Sequence, residues 1–341
     1  TSYTYDALDR LLSVTDPLSH TISYTYDCDG NRLTLTDPLN HITSCTYDEN
    51  NRLSQVTDAL NHTTRFSYDA EGNLTSKTDA LNHTTQYVYD ENGRLITETD
   101  PLNHATAYNY DAAGHLIHQN DGLNNTVFSG TYDEAGNLLT ATDALSHTTQ
   151  NTYDVLNRLT SVTDPLSRVT GYGYDDLDRV VQGTDAQNGQ SSIGYDADGN
   201  RNALTDQNSQ QTGFAFDLAG RLTTVTSAAG NTKGYQYNTR ELVSQITNGR
   251  QQTATITYDD AGRITSIADP AGTLSYTYDN AGNILTISDA NGTLTRQYDA
   301  LGRITQYTDG NSNTIGYSYD AVGRLTTLTY PGGRQVTYGY D

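Results

Sequence analysis

Tyr26-Asp27-Cys28-Asp29-Gly30-Asn31 is one copy of a pattern, Tyr-Asp-x-x-Gly-(Arg/Asn), that returns along the whole sequence. The pair, or a close substitute, begins at Tyr5, Tyr26, Tyr47, Tyr68, Tyr89, Tyr110, Tyr132, Tyr153, Tyr174, Tyr195, Phe216, Tyr237, Tyr258, Tyr278, Tyr298, Tyr319 and Tyr340. The step is 21 residues, except 22 between Tyr110 and Tyr132 and 20 in the two steps from Tyr258 to Tyr298. A fixed period of this size marks a chain that stacks copies of one supersecondary unit, because no copy can bury an apolar face alone.

Each unit reads as two short strands and two turns. Arg168-Val169-Thr170-Gly171-Tyr172-Gly173-Tyr174 alternates with period two, and Arg158-Leu159-Thr160-Ser161-Val162-Thr163-Asp164 is rich in β-branched residues; both suit strands. The alternation sets Tyr24 with Tyr26, Phe66 with Tyr68, Tyr87 with Tyr89, and Tyr108 with Tyr110 on one face, leaving Thr and Ser on the other.

The first turn opens at Asp27, Asp69, Asp90, Asp111 or Asp299 and closes at Gly30, Gly72, Gly93, Gly114 or Gly302. Glycine takes positive φ freely, and Asn51, Asn157 and Asp178 in the same slot are the next best. This predicts a type I turn followed by a left-handed residue, with the aspartate bonding the turn's own amides. Glu241 breaks the rule, so the turn after Tyr237 is expected to differ. The second turn is Asp-(Pro/Ala)-Leu-(Asn/Ser)-His, and all six prolines, among them Pro17, Pro38 and Pro101, share its second slot. Proline fixes φ and removes a ladder donor, which places it in a turn. The expected fold is all-β: antiparallel β-hairpin repeats of 21 residues that wind, at constant rotation per unit, into a spiral sheet, a hollow tube or shell. Residues 1–341 read as a single continuous array, and because it starts and stops inside a repeat it is expected to be a segment of a longer protein.

Composition narrows the function. Only 34% of residues are hydrophobic, Trp and Met are absent, and Tyr (27) outnumbers Phe (4), so burial must come from Tyr, Leu, Val, Ile and threonine methyls. A net charge of −22 opposes binding to nucleic acid and to anionic membranes. No apolar run is long enough to span a bilayer. Cys28 and Cys45 fall in slots that hold no other cysteine and read as isolated small residues.

Tyr298-Asp299-Ala300-Leu301-Gly302-Arg303-Ile304, with Tyr330-Pro331-Gly332-Gly333-Arg334 further on, resembles the YD repeat of RHS (rearrangement hotspot) proteins. That family includes the shell region of RHS toxins, the C component of insecticidal Tc toxin complexes, wall-associated bacterial proteins and the teneurins. The resemblance covers essentially the whole chain. It implies a sheet spiralling into a cocoon-like shell, which in the toxins encloses a C-terminal effector, and it implies secretion or surface display. The self-cleavage motif that precedes the effector in that family is not recognisable here, so no cleaving residue is carried over. The nearly uniform spacing suits a tube of constant pitch, which keeps an extracellular filament or adhesin stalk as the alternative.

Duplication accounts for most other apparent chemistry. His20, His41, His62, His83, His104 and His147 share one slot and, if units stack, could align as metal ligands; polar loop residues copied by duplication are the favoured reading. Asp309-Gly310-Asn311-Ser312-Asn313 partly mimics a calcium loop but lacks its glycine and its bidentate glutamate. Tyrosines at alternate strand positions could stack on sugars, though packing is their commoner use. Asp, Ser and His recur together in nearly every unit, whereas a catalytic site is normally unique. The expectation is a non-enzymatic scaffold with no catalytic residue, metal or cofactor. Its partners would be an enclosed effector domain, neighbouring copies of itself or glycan, and its location extracellular.

Overall fold

The computed structural model describes Thr1–Tyr340; Asp341, the last acid of the Tyr-Asp series, lies outside the described residues. Those residues form 33 strands and no helix, and every strand pair with a defined register is antiparallel between neighbours in sequence. The all-β hairpin architecture expected from the period is therefore present. Strand Thr21–Tyr26 pairs with Arg32–Thr36 through Ser23↔Thr36, Tyr24↔Leu35, Thr25↔Thr34 and Tyr26↔Arg32, with a bulge after Thr25. Arg32–Thr36 then pairs with Ile42–Tyr47 through only Thr34↔Ser44, Leu35↔Thr43 and Thr36↔Ile42. The bulge recurs beside the tyrosine in hairpin after hairpin. It is the extra residue that a type I turn with a left-handed end delivers to its second strand.

The pleat separates the faces as the alternation predicts. Tyr24 and Tyr26 are half-buried while Thr25 between them is exposed. On the hydroxyl face, cross-strand threonines bond directly, as in Thr25–Thr34 at 2.6 Å and Thr15–Thr21 at 2.8 Å. The tyrosines do not enter a closed core. Cys45, 9% exposed, is the one buried hydrophobic side chain among the described residues.

Departures from 21 residues are absorbed locally. In the 22-residue unit the extra residue becomes a bulge, with Gln119 opposite Phe128 but Asn120 opposite Thr126. In the two 20-residue units the second turn shortens to two residues, and Asp269↔Gly272 and Asp289↔Gly292 close the ladder. Only glycine suits the backbone there, with φ of 154° and 149°.

Contacts divide the chain into two compact units. Unit 1 holds Thr1–Thr85, Asn238–Ser244 and the stretch from Thr253 to the C-terminal end; unit 2 holds Gln86–Tyr237 and Gln245–Gln252. Within unit 1, second turns near the N-terminus meet Tyr-Asp turns far along the chain. Pro17 and Pro38 line one crevice with Ala261 and Ala281, and Ala80 lines another with Leu301 and Val322.

Candidate functional site: the repeated Tyr-Asp turn

Asp27 builds its turn within five residues. Its N–H donates to the Asn31 carbonyl at 3.0 Å, and the Gly30 N–H donates back to the Asp27 carbonyl at 3.4 Å. Oδ1 accepts the N–H groups of Asp29 and Asn31 at 3.0 and 2.8 Å, and Oδ2 accepts the Asn31 side-chain amide at 2.9 Å. Gly30, Gly72, Gly93, Gly114 and Gly302 all have positive φ, from 74° to 97°. Asp90 and Asp299 hold the turn with Nε of Arg94 and Arg303, Asp69 with Asn73, and Asp111 with His115.

The second turn is the same device, which the sequence did not reveal. Asp37 Oδ1 accepts the N–H groups of Leu39 and His41 at 2.8 Å, and His41 Nδ1 lies 2.9 Å from Oδ2. An ionised carboxylate only accepts, so Nδ1 carries the proton. Asn40 takes the left-handed slot at φ 65°, with Pro38 ahead of it; Pro17 and Pro101 follow Asp16 and Asp100 in like fashion. The histidine slot is thus the arginine slot of the other turn, and His20, His62, His83, His104 and His147 likewise face their own aspartates. The signal was available as spacing: Asp, then an amide, imidazole or guanidinium four residues later, in both turns. Asp309 in the calcium-like loop spends its oxygens in this manner on Asn311 and Asn313.

Glu241 corrects one expectation. It adopts φ 62°, donates its N–H to the Asn238 carbonyl at 3.0 Å, and leaves the turn unchanged. Asn238 Oδ1 replaces the carboxylate by accepting the N–H groups of Arg240 and Leu242.

Charge follows geometry. The Arg94 N–H, helped by its guanidinium and by the Asn92 N–H, holds the Asp90 carboxyl below the usual range against the opposing cost of desolvation. The His104 N–H does the same for Asp100, joined by the His104 ring and the Leu102 N–H. A carboxylate that accepts several N–H bonds resists protonation.

What separates the two turns is what lies between successive copies. The pairing of Leu11–Thr15 with Thr21–Tyr26 stops at Ser13↔Ser23, short of the Tyr-Asp edge. Across that opening the Tyr26 hydroxyl donates to the Leu11 carbonyl at 2.9 Å; Tyr68, Tyr110 and Tyr298 do so to Leu53, Leu95 and Ile284. Arg10, clamped by Asp6, sends Nη1 to the Asp27 carbonyl at 2.7 Å while its guanidinium lies 5.0 Å over the Tyr26 ring. Arg52 repeats both contacts with Asp69 and Tyr68, and Arg94 with Asp111 and Tyr110. Where asparagine replaces arginine, Asn31 bonds Asn51 at 2.8 Å instead, and His115 stacks on Tyr132 with centroids 4.6 Å apart. Each hydroxyl bond is worth about 1 kcal/mol, each exposed cation–π contact about 0.5–1 kcal/mol, and the array multiplies them.

The comparisons agree with this construction. The family model described as teneurin YD-shell matches residues 1–128 and 172–274, well over half of the chain. The RHS repeat model matches several segments, among them 110–149, 153–190 and 298–335. No curated protein sequence matches. Among solved structures, a Photorhabdus luminescens Tc holotoxin pore superposes with a TM-score of 0.61 at 15% identity, covering 98% of this chain and 22% of that one. Crystal structures of TcdB2-TccC3-TEV and TcdB2-TccC3 give TM-scores of 0.62 and 0.59 at 14% and 15% identity, covering 98% of this chain and 22% and 24% of theirs. At such identities the likeness is one of fold, and this chain spans about a quarter or less of those proteins' length. With its Tyr-Asp turns, its hairpin meander and these matches, the chain belongs to the family of teneurin YD-shell and RHS-repeat proteins.

Proposed function

We propose that this chain is a wall segment of a hollow β-shell in a secreted or surface-displayed bacterial RHS-type protein, a continuous hairpin array that winds into a spiral and encloses an effector domain. One observation carries the reading. The polar groups that define the repeat, tyrosine hydroxyl, aspartate carboxylate and arginine guanidinium, are spent within their own turn or on the main chain of a neighbouring hairpin. Tyr26, Asp27, Gly30 and their counterparts through Gly302, with Pro17, Pro38 and Pro101, then act as construction residues, and the segment does no chemistry of its own. The fold likeness to Tc toxin structures supports the shell form. A sugar-stacking role for the tyrosines loses support, because an arginine guanidinium already lies over the rings of Tyr68 and Tyr110.

Electron microscopy of the purified chain tests this through its cross-section. A curved wall around a lumen is the expected result, and in the full-length protein a domain fused after the array should resist added protease until the wall is denatured. A flat ribbon, or a fused domain cleaved as fast as the free one, would remove the shell reading. A stalk made by adding copies end to end is the second reading, favoured by the uncovered leucines of unit 2.

A further inference from the structure

Within unit 1 the two kinds of turn already form an interface. Pro38 and Ala59 share a crevice with Ala281 and Leu301, and Ala80 meets Leu301 and Val322. The covering residues Ala261, Ala281, Leu301 and Val322 hold the same place in successive Tyr-Asp turns. In the same second turns Leu18, Leu39 and Leu81 are half-buried, Leu39 lining the crevice itself, and Leu60 is 36% exposed.

Unit 2 carries the same turn leucines without the cover. Leu102, Leu123, Leu145 and Leu166 stand on one edge of four consecutive hairpins, 59, 83, 75 and 72% exposed. The row then ends, because Gln187 and Asn208 follow in the same slot. On the opposite edge of unit 2, Ala113, Ala135, Leu156 and Leu177 repeat the order of small and large side chains seen in the covering turns of unit 1. Leu156 and Leu177 are 62% and 71% exposed. Large apolar side chains exposed in register on successive hairpins mark an interaction surface.

We propose that the leucine row Leu102–Leu123–Leu145–Leu166 docks the Tyr-Asp turns of a second copy of this chain, through that copy's Ala113, Ala135, Leu156 and Leu177. The precedent is the turn-on-turn contact inside unit 1, built from the same two turn types in the same slots. The surfaces lie on opposite edges, so the contact is head to tail and open-ended rather than a closed pair. This goes beyond the shell reading: that reading fails on the cross-section, this one on assembly.

The test is sedimentation of the purified chain over a wide concentration range beside two charge-neutral variants. One carries L102Q, L123Q, L145Q and L166Q; the other carries A113Q, A135Q, L156Q and L177Q. Wild-type mass is expected to climb with concentration in multiples of 37.2 kDa. Each variant alone should need a concentration higher by about ten-fold or more to associate. Mixed together, the two variants should stop at dimers, since each retains one intact edge. Circular dichroism verifies folding, and the single variants Leu123→Gln and Leu177→Gln, both at exposed sites, report the same shift if a quadruple variant fails to fold. A chain that stays monomeric throughout, assembly untouched by either set, or variants that form no mixed dimer would overturn the proposal.

Discussion

The Tyr-Asp edge and the Asp-x-Leu edge of the sheet use one turn design, yet neighbouring hairpins are joined differently at each. At the Asp-x-Leu edge the ladder runs nearly to the turn, as in Ser23↔Thr36 beside Asp37. At the Tyr-Asp edge the ladder stops early, and Tyr26 and Arg10 bridge the remaining gap. Main chain closes one edge and side chains close the other. Sequence changes should therefore be costly at tyrosine and arginine, and mild at the residues of the second turn that reach only solvent.

The largest effect should come from acid, which attacks both edges at once. The carboxyls of Asp90 and Asp100 sit below their ordinary value when folded, so their contribution is complete above about pH 4 and is lost as pH falls through the folded value. Circular dichroism between pH 6 and about pH 2 should show cooperative loss of sheet only below about pH 4; a full signal at the acid end would mean that the clamps add nothing. Next in size are substitutions at the left-handed slots. Gly93→Val forces a β-branched residue to φ 74° and should lower stability by about 2 kcal/mol, whereas Asn103→Val, at φ 67°, should lose about 1 kcal/mol because asparagine already carries part of that strain. Equal losses in urea unfolding would show that the two turns are not distinguished by their closing residue.

Tyr110→Ala removes a half-buried ring and its bond to the Leu95 carbonyl, an expected loss of about 2 kcal/mol; Tyr110→Phe isolates the hydroxyl at about 1 kcal/mol. Phe216 is a natural version of the second change, so Phe216→Tyr should gain up to about 1 kcal/mol by reaching the preceding strand near Arg201. Leu123→Ala on the other edge, 83% exposed, should change the stability of the isolated chain by less than about 0.5 kcal/mol. If Tyr110→Phe were as silent as Leu123→Ala, the contrast between edges would collapse.

The strands, the first turn and the face pattern were legible because each follows from local chemistry: β-branched alternation, and glycine or asparagine where φ is positive. The second turn was legible only as a turn. Proline drew the reading to Pro38, while the position that sets the geometry is Asn40 and the clamp is Asp37 with His41. At Glu241 the converse holds, since a turn closed by four hydrogen bonds, two of them between main-chain groups, carries an unfavoured residue along with it. The tyrosine bridges were invisible because sequence shows a hydroxyl and not its acceptor 15 residues earlier. The crevices of unit 1 join residues some 240 positions apart, as with Pro17 and Ala261, and no short-range pattern records such a meeting.

The bulk of the bonding described above is short in sequence: four residues across a turn, about fifteen along a tyrosine bridge. Chains dominated by such near contacts reach their fold quickly, because little loop entropy must be lost before each contact rewards it. A hairpin can therefore set as soon as its predecessor is in place, and the sheet can grow from one end while the rest of the polypeptide is still being synthesised or threaded through a narrow passage. The meeting of distant turns in unit 1, by contrast, must wait for the intervening chain.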